Sequence, residues 1–445
     1  MIKKLSERDH IRSRPNMYIG SIESTASMEY ILENSKMSYQ EIIFVPGLIK
    51  IINEIIDNCV DVAIKTNFES SNIISVKMDR TYVTVDDNGT GIPITKSEDG
   101  HYLPELCWNH ARAGSNFDDD ENRTQIGMNG VGSYATACFS KQFNGSTDDG
   151  KKSYKIKIVN EAESFTESVG KTKTQGTSVT FEPDLTMFGL TEIDDTHKLV
   201  IHQRLINLSM SFPEITFKFN GKKINVNSFK KYVNLFNPTS TLLEQDDYKF
   251  AILPNNEDDF KQFSYVNGLK IPDGGTHIDL FTNIIVGKLR DKLVKKYKTI
   301  KPGDIKNKLM VISFLKNLKN AKFNSQSKEK ITNSTTEMTK YFGTIDYDRI
   351  VNIIMKTPDI IDPITETYKI KEELAKRKEL KGLSKVSKRI KSEKYLPSIG
   401  VKKYLLITEG ASATGGLAPV LGRKECGFYE LKGKPLNSYT ASQSK

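Results

Sequence analysis

The 445-residue chain contains no run of eighteen apolar residues, the length a membrane-spanning helix needs. Its opening stretch, MIKKLSERDHIRSRP, lacks the apolar centre of a signal peptide. Cysteine is scarce: Cys59, Cys107, Cys138 and Cys426 show no paired short spacing. That pattern speaks for reduced thiols in a cytoplasm and against a zinc site. No Gly-Lys-Ser/Thr follows the glycine-rich segment Gly127–Gly132, so it is not a Walker A loop. The G-x-x-G-x-G run at Gly127–Gly132 has the wrong glycine order and no preceding strand for a dinucleotide fingerprint.

What is present is the composition of a globular protein of two or three domains, 37% apolar and 27% charged. The net charge is +10, with lysine and arginine crowding 287–308 and 371–403. Such an excess suits an anionic polymer or a nucleotide, and a solvated basic surface equally.

Leu48, Ile51, Ile52, Ile55, Ile56 and Val60 recur at helical spacing. Glu54, Asn58 and Asp61 then share one helix face. Alone, this is more commonly an amphipathic helix with a solvated face. As a site, the Asn would hold a metal ion and the Glu would orient or deprotonate a water.

Elsewhere the chain predicts an extended arm over residues 1–20, broken by Pro15 and turning at Gly20. Strands are expected at 73–78 and 82–85, the second running into Asp86-Asp87-Asn88-Gly89-Thr90-Gly91-Ile92-Pro93. Glycines placed there let backbone approach a ligand, and an acidic residue before them can accept from an exocyclic amine. Gly127-Met128-Asn129-Gly130-Val131-Gly132-Ser133 opens an expected helix, Tyr134 to Phe139, and offers free N–H groups to phosphate oxygens. Further strands are read at 154–160, 178–182, 215–219 and 223–226, the last two joined at Asn220-Gly221. A polar loop separates the first two. A strand and turn at Phe263–Gly268 precede a basic helix reaching Lys298, and Leu309–Leu315 reads as a buried strand. Residues 324–330 read as a loop, 366–396 as a long solvated helix with a basic end, and Lys402–Glu409 as a buried strand ending in a carboxylate.

Taken in order, E-x-x-x-N-x-x-D, D-N-G-x-G-I-P, G-x-x-G-x-G and Gln175-Gly176-Thr177 resemble the ATP-binding fold of gyrase, Hsp90 chaperones, histidine kinases and MutL. The flanks narrow this to type IIA DNA topoisomerases. Arg14–Ser21 resembles their N-terminal strap, Ala113–Asp119 their ribose and phosphate loop, and Tyr265–Gly268 with Gly274–His277 their transducer. Gln326-Ser327-Lys328 resembles their Gln-Thr-Lys loop, and Thr408–Ala413 with Leu431–Asn437 the opening of their TOPRIM domain. The insert-free layout is most similar to the large subunit of the T-even-type phage branch.

The resemblance implies an α+β chain. Residues 1–225 would form a GHKL (Bergerat) ATPase sandwich with a dimer-exchange strap. A β-α-β transducer of ribosomal-protein type would span 226–365, a basic helical linker 366–398, and a partial TOPRIM α/β domain 399–445. It implies ATP and Mg²⁺. Glu54 would be the general base, Asn58 would hold Mg²⁺, and Asp87 would read the adenine amine with Thr177 beside it. Gly91 and Ile92 would line the same end. Asn88, Gly114, Ser115 and Asn116 would contact ribose and phosphates. Gly127, Met128, Asn129, Gly130, Val131, Gly132, Ser133 and Tyr134 would wrap the phosphates. Gln326 and Lys328 would stabilise γ-phosphate charge. Tyr18 would reach nucleotide on the partner protomer. Implied partners are double-stranded DNA, a second copy on ATP binding, and a DNA-cleaving subunit bearing the nucleophilic tyrosine, all in a cytoplasm (a host's, if phage-encoded).

Two departures stand out. Ala411 replaces the usual Asp after Glu409-Gly410, although Glu409, the residue tied to a cleavage metal, is retained. No later Asp-x-Asp follows before Lys445, so the chain is not expected to cut DNA alone. Two other readings stay open: a chaperone or mismatch-repair ATPase of the same fold, and a DNA-binding scaffold that does not hydrolyse nucleotide.

Overall fold

The computed structural model describes residues 5–112, 130–226, 228–325, 328–387, 394–400 and 403–431. Two compact units divide the chain, residues 1–366 and 367–445. No helix among the described residues is long and apolar enough to cross a membrane.

The first unit opens with α1 (Glu7–Ser13) and α2 (Pro15–Tyr18), not the expected extended arm. Ser6 caps α1 by accepting from the Asp9 N–H, and the buried Ile11 holds that helix to the body. Pro15 takes the first position of α2, and Arg14 before it leaves the helical region (φ −131°, ψ 54°). The proline therefore separates two helices. A hairpin follows, β1 (Thr25–Glu33) and β2 (Lys36–Phe44), turned through left-handed Asn34 and Ser35.

Next come α3 (Pro46–Lys65), β3 (Ile73–Met78), β4 (Val83–Asp87), α4 (Leu103–Asn109), α5 (Gly132–Cys138), β5 (Ser140–Asp149), β6 (Lys152–Val159), β7 (Ser164–Lys171), β8 (Gln175–Pro183), α6 (Asp195–Ser211), β9 (Thr216–Phe219) and β10 (Lys222–Lys223). The strands form one sheet in the order β10-β9-β3-β4-β8-β5-β6-β7. Among these described strands only β3 and β9 pair in parallel. Along β6, buried Tyr154, Ile156 and Ile158 alternate with exposed Lys155 and Lys157. Helices cover one face and solvent the other. The stretch between 160 and 178, expected to be a polar loop, in fact carries β7, and β5 is an addition to the expected strands.

A second sheet is built from residues after α7 (Phe229–Phe236). Its elements are β11 (Thr241–Glu244), β12 (Tyr248–Pro254), β13 (Lys261–Val266), β14 (Leu269–Lys270), α8 (Thr276–Leu293), α9 (Pro302–Lys306) and β15 (Leu309–Leu315). The strand order is β11-β12-β15-β13-β14. β15, buried at every residue, pairs in parallel with β13, so β13–α8–β15 is a β-α-β unit. The helix stops at Leu293, short of the expected Lys298. Then α10 (Thr335–Phe342), α11 (Tyr347–Met355) and α12 (Pro358–Ser387) follow, the last beginning earlier and ending sooner than expected.

Helix α6 belongs to two cores. Ile201, Leu205 and Leu208 pack under the first sheet. Ile206 and Met210 pack with Phe229, Tyr232, Phe263, Tyr265 and Phe314 against the second. An apolar residue on either side is what a helix shared by two layers requires.

The second unit contains β16 (Tyr395–Leu396), β17 (Tyr404–Glu409), α13 (Ala411–Leu421) and β18 (Cys426–Leu431). β17 and β18 pair in parallel across α13. The expectation of a buried strand before Glu409 is corrected here. Among the described strands β17 lies at the sheet edge, and Tyr404, Leu405 and Ile407 are each more than half exposed.

Candidate active site

Helix α3 buries one long apolar face, including Leu48, Ile51, Ile52, Ile55 and Ile56. This leaves Glu54 half-buried and Asn58 exposed along its edge, while Asp57 and Asp61 are buried. Glu54 pairs with Lys50 one turn earlier. Burial opposes the Lys50 charge, but Glu54 and Asp57 outweigh it and raise its pKa. Opposite stands the start of α5. A Cβ on Gly132 would lie 1.9 Å from Glu54 Oε2, so only glycine admits the carboxylate there. Asn58 Nδ2 donates to Ser133 Oγ at 2.8 Å. That contact leaves the carboxamide oxygen as the atom on offer, an oxygen donor of the kind Mg²⁺ takes.

At the other end of the cleft, Asp87 and Thr177 sit opposite each other in the β4–β8 register. Burial raises the Asp87 pKa, although the Gly89 N–H donates to Oδ1 at 2.6 Å and the Cys59 thiol also bonds to it. Thr147 closes the cluster. Its Oγ1 accepts from the Ile92 N–H at 2.8 Å and lies 3.1 Å from Thr177 Oγ1. Gly91 (φ +74°) is pressed so close that a Cβ would meet Asp148 O at 2.1 Å. The D-x-G-x-G signal thus marks real close approach, and the second glycine cannot be replaced without moving backbone.

Two side chains link the second sheet to α3, one from a loop of that sheet and one from α6, which packs against it. Lys328 (φ +59°) sits in the loop between Phe323 and Ile331. Burial lowers its pKa, and Lys50 lowers it further, against the pull of Glu54, Asp57 and Asp61. The loop is clamped at its root: a Cβ on Gly275 would lie 2.2 Å from Ile331 O. Two residues after Gly275, His277 is buried with Nε2 on Ser264 Oγ at 2.9 Å, and burial drives its pKa down to about 3. The other contact is Arg204 of α6. It donates to Asp57 Oδ1 at 3.0 Å and to Gly268 O at 2.6 Å, with Tyr265 5.9 Å below its guanidinium. The Tyr265–Gly268 motif is thereby joined to the helix of Glu54 and Asn58.

Of the expected residues, Glu54, Asn58, Gly132, Ser133 and Lys328 come together, as do Asp87, Gly91, Ile92 and Thr177. Gly130 and Val131 lead into α5. The Tyr134 side chain packs in the core and bonds to Cys138, which leaves its backbone in the first turn of α5 for any phosphate contact. Asn88 is committed elsewhere, accepting from the Ile73 N–H at 2.8 Å and donating to Asn72 Oδ1 at 2.9 Å. Tyr18 bonds His10 Nδ1 at 2.9 Å within its own arm, which Arg12 ties to Cys138 O and Asp184. Exposed Glu409 ends β17 in the other unit. Gly114, Ser115, Asn116, Gly127, Met128, Asn129 and Gln326 lie outside the described residues. Sequence reasoning missed Arg204 and Thr147. Neither stands in a motif, and only strand register and the α6 packing bring them to the cleft.

The chain matches the histidine kinase-, DNA gyrase B- and HSP90-like ATPase family over residues 46–187 and the DNA gyrase B family over 217–382. It is 36% identical to the DNA topoisomerase large subunit of Enterobacteria phage T4, over 99% of this chain and 86% of that protein. It is 32% identical to DNA topoisomerase 2 of Candida glabrata over 98% of this chain, but spans only 33% of that relative. The solved ATPase region of Saccharomyces cerevisiae topoisomerase II superposes with a TM-score of 0.74 at 30% identity, covering 82% of this chain and 99% of that one. A chaperone or mismatch-repair identity is thereby set aside: the chain belongs to the type II DNA topoisomerases and carries that family's ATPase region.

Proposed function

We propose that this chain binds ATP with Mg²⁺ between α3 and the β4–β8 rim, hydrolyses it, and uses the cycle to close and reopen a gate on duplex DNA. The observation that carries the reading is the meeting of α3 and α5, where Glu54 lies against Gly132 and Asn58 bonds Ser133, with Lys328 of the second sheet's loop within electrostatic reach of the α3 carboxylates.

Glu54 takes a proton from a water whose oxygen attacks the γ-phosphorus as the bond to the β-phosphate oxygen breaks. Lys328, with Gln326, balances charge on the γ-phosphate oxygens. Asp87 accepts from the adenine amine, with Thr177 and Thr147 fixing the same edge. Gly114, Ser115, Asn116 and the backbone of residues 127–134 hold ribose and phosphates, and Asn88 joins them only by leaving Asn72. Asn58, through its carboxamide oxygen, would hold Mg²⁺, which would supply positive charge beside the triphosphate. Because Glu54 stands on α3 beneath the first sheet and Lys328 on a loop of the second, occupancy of the cleft ties the two layers together, a switch governed by γ-phosphate contacts.

ATP-driven pairing of two copies, with Tyr18 reaching the partner's nucleotide, would capture a double-stranded segment. The basic stretches are then its electrostatic footing. Glu409 would hold a metal in a TOPRIM-type unit for cleavage performed with the subunit that carries the nucleophilic tyrosine. The test is ATPase rate with and without duplex DNA, for this chain and for Glu54→Ala. DNA-stimulated turnover that the substitution abolishes while ATP still binds supports the reading. Turnover indifferent to both DNA and the substitution sinks it.

A further inference from the structure

Helix α4 carries a cluster that the proposed reaction does not use. His101 stands two residues before the helix, Glu105 lies in its first turn, and His110 is its C-cap. The Glu105 side chain is only 5% exposed. Its Oε1 lies 2.8 Å from His101 Nδ1 and 3.3 Å from His110 Nε2. The two imidazoles are tilted against each other with centroids 5.0 Å apart, and one donor atom from each of the three side chains falls within 4.8 Å of the others. Their outer edges are open, at 44% and 40% exposure.

The cluster is held in place by the core. Trp108 of the same helix lies over Gly145, where a Cβ would approach its ring to 2.5 Å. Tyr102 sits between the Lys96 ammonium and the Tyr154 ring. A buried carboxylate with two imidazoles converging on one oxygen is therefore presented on a fixed frame. A tetrahedral ion with bonds of about 2.0–2.2 Å sets its donors about 3.4 Å apart; the Glu105–His110 spacing of 3.3 Å matches this, and the Glu105–His101 hydrogen bond of 2.8 Å has only to open by about 0.6 Å.

We propose that His101, Glu105 and His110 form a divalent-metal site of the zinc class, completed by water on its open side. Two neutral imidazoles and a carboxylate suit zinc and its first-row neighbours, whereas Mg²⁺ takes oxygen donors. The site is thus chemically distinct from the one assigned to Asn58. The cysteine spacing speaks against zinc held by thiolates, and this set uses none. On binding, the ion replaces the protons the two rings share with Glu105. It ties the approach to α4 to its exit, from which the chain runs directly into Ala113–Phe117.

The full chain, stripped with chelator, is titrated with Zn²⁺ by calorimetry and with Co²⁺ by visible absorption. One equivalent of each is expected to bind, with an intense low-coordinate Co²⁺ band that excess Mg²⁺ does not displace. His101→Ala and His110→Ala, on exposed rings, should each weaken Zn²⁺ binding about tenfold or more, since even outer-shell partners are worth that much. Their circular dichroism and urea unfolding should match the parent. Cys107→Ala, the neighbouring thiol on the same helix, should bind as the parent does. Absence of stoichiometric Zn²⁺ binding overturns the proposal. So does binding indifferent to both histidine substitutions, or equally lost in Cys107→Ala.

Discussion

The two ends of the cleft are made differently. The Asp87 end is assembled from strand neighbours: Asp87 faces Thr177 in register, Thr147 lies beside Thr177, and Gly91 is pressed against the Asp148 carbonyl. Each of these positions follows from a sheet that exists whatever the second sheet does. The Glu54 end draws on α3, the start of α5 and a loop from the second sheet, and it is held by opposed charges. Lys50 and Lys328 face Glu54, Asp57 and Asp61. A site for recognition can be rigid and local. A site for timed chemistry gains from being completed by a part that can be withdrawn.

On that contrast, Glu54→Ala should cut ATP turnover by about 10²–10⁴-fold, the range for a lost general base, while nucleotide affinity changes little. Single-turnover kinetics beside equilibrium binding separates the two, and a matching collapse of affinity would break the contrast.

Arg204→Ala should destabilise the fold by about 3–5 kcal/mol, because buried Asp57 loses its partner. Urea unfolding measures this. Pairing the change with Asp57→Leu should restore most of the loss, and failure to do so would remove the ion pair as the link between α3 and the second sheet.

Lys328→Ala should lower kcat by about a hundredfold with a smaller change in KM. The sign of its pH dependence follows from burial, which depresses the lysine pKa below 10.5. The charged form is therefore lost on raising the pH sooner than for an ordinary lysine, and kcat should fall along an alkaline limb below 10.5. Lys328→Arg should move that limb upward, and a limb unmoved by the change would detach Lys328 from the chemistry.

Thr147→Val should have the smallest effect, about 0.5–1.5 kcal/mol for a lost hydrogen bond, and should appear in KM alone. A fall in kcat of the same size would mean that the two ends are not separable.

Much of this architecture is legible in the amino-acid sequence. The α3 periodicity, the fully apolar β15, the Asn220-Gly221 turn and the glycine pair after β4 each carry a local signal strong enough to survive folding. What escapes such a reading has a physical reason in each case. β7 is exposed at every position and so shows no alternation, and β5 (SKQFNGSTDD) is built largely from residues that strands usually avoid. Their pairing, not their composition, makes them strands. The arm reads as extended because the proline that forbids helix at Arg14 gives no sign that it also starts one at Pro15. Arg204 looks like one more surface charge on a helix, because two-sided burial of α6 emerges only once both sheets are packed against it.

The close contact between Gly275 and Ile331 has a mechanical consequence. It fastens the root of the Lys328 loop to the first turn of α8, with no side chain between them to yield. α8 is a rod of 18 residues, about 27 Å long at 1.5 Å per residue. A pull on Lys328 is therefore passed to the start of α8 and, through its buried face from Ile278 to Leu293, to the layer it packs in. The absent side chain at residue 275 is what makes that joint stiff.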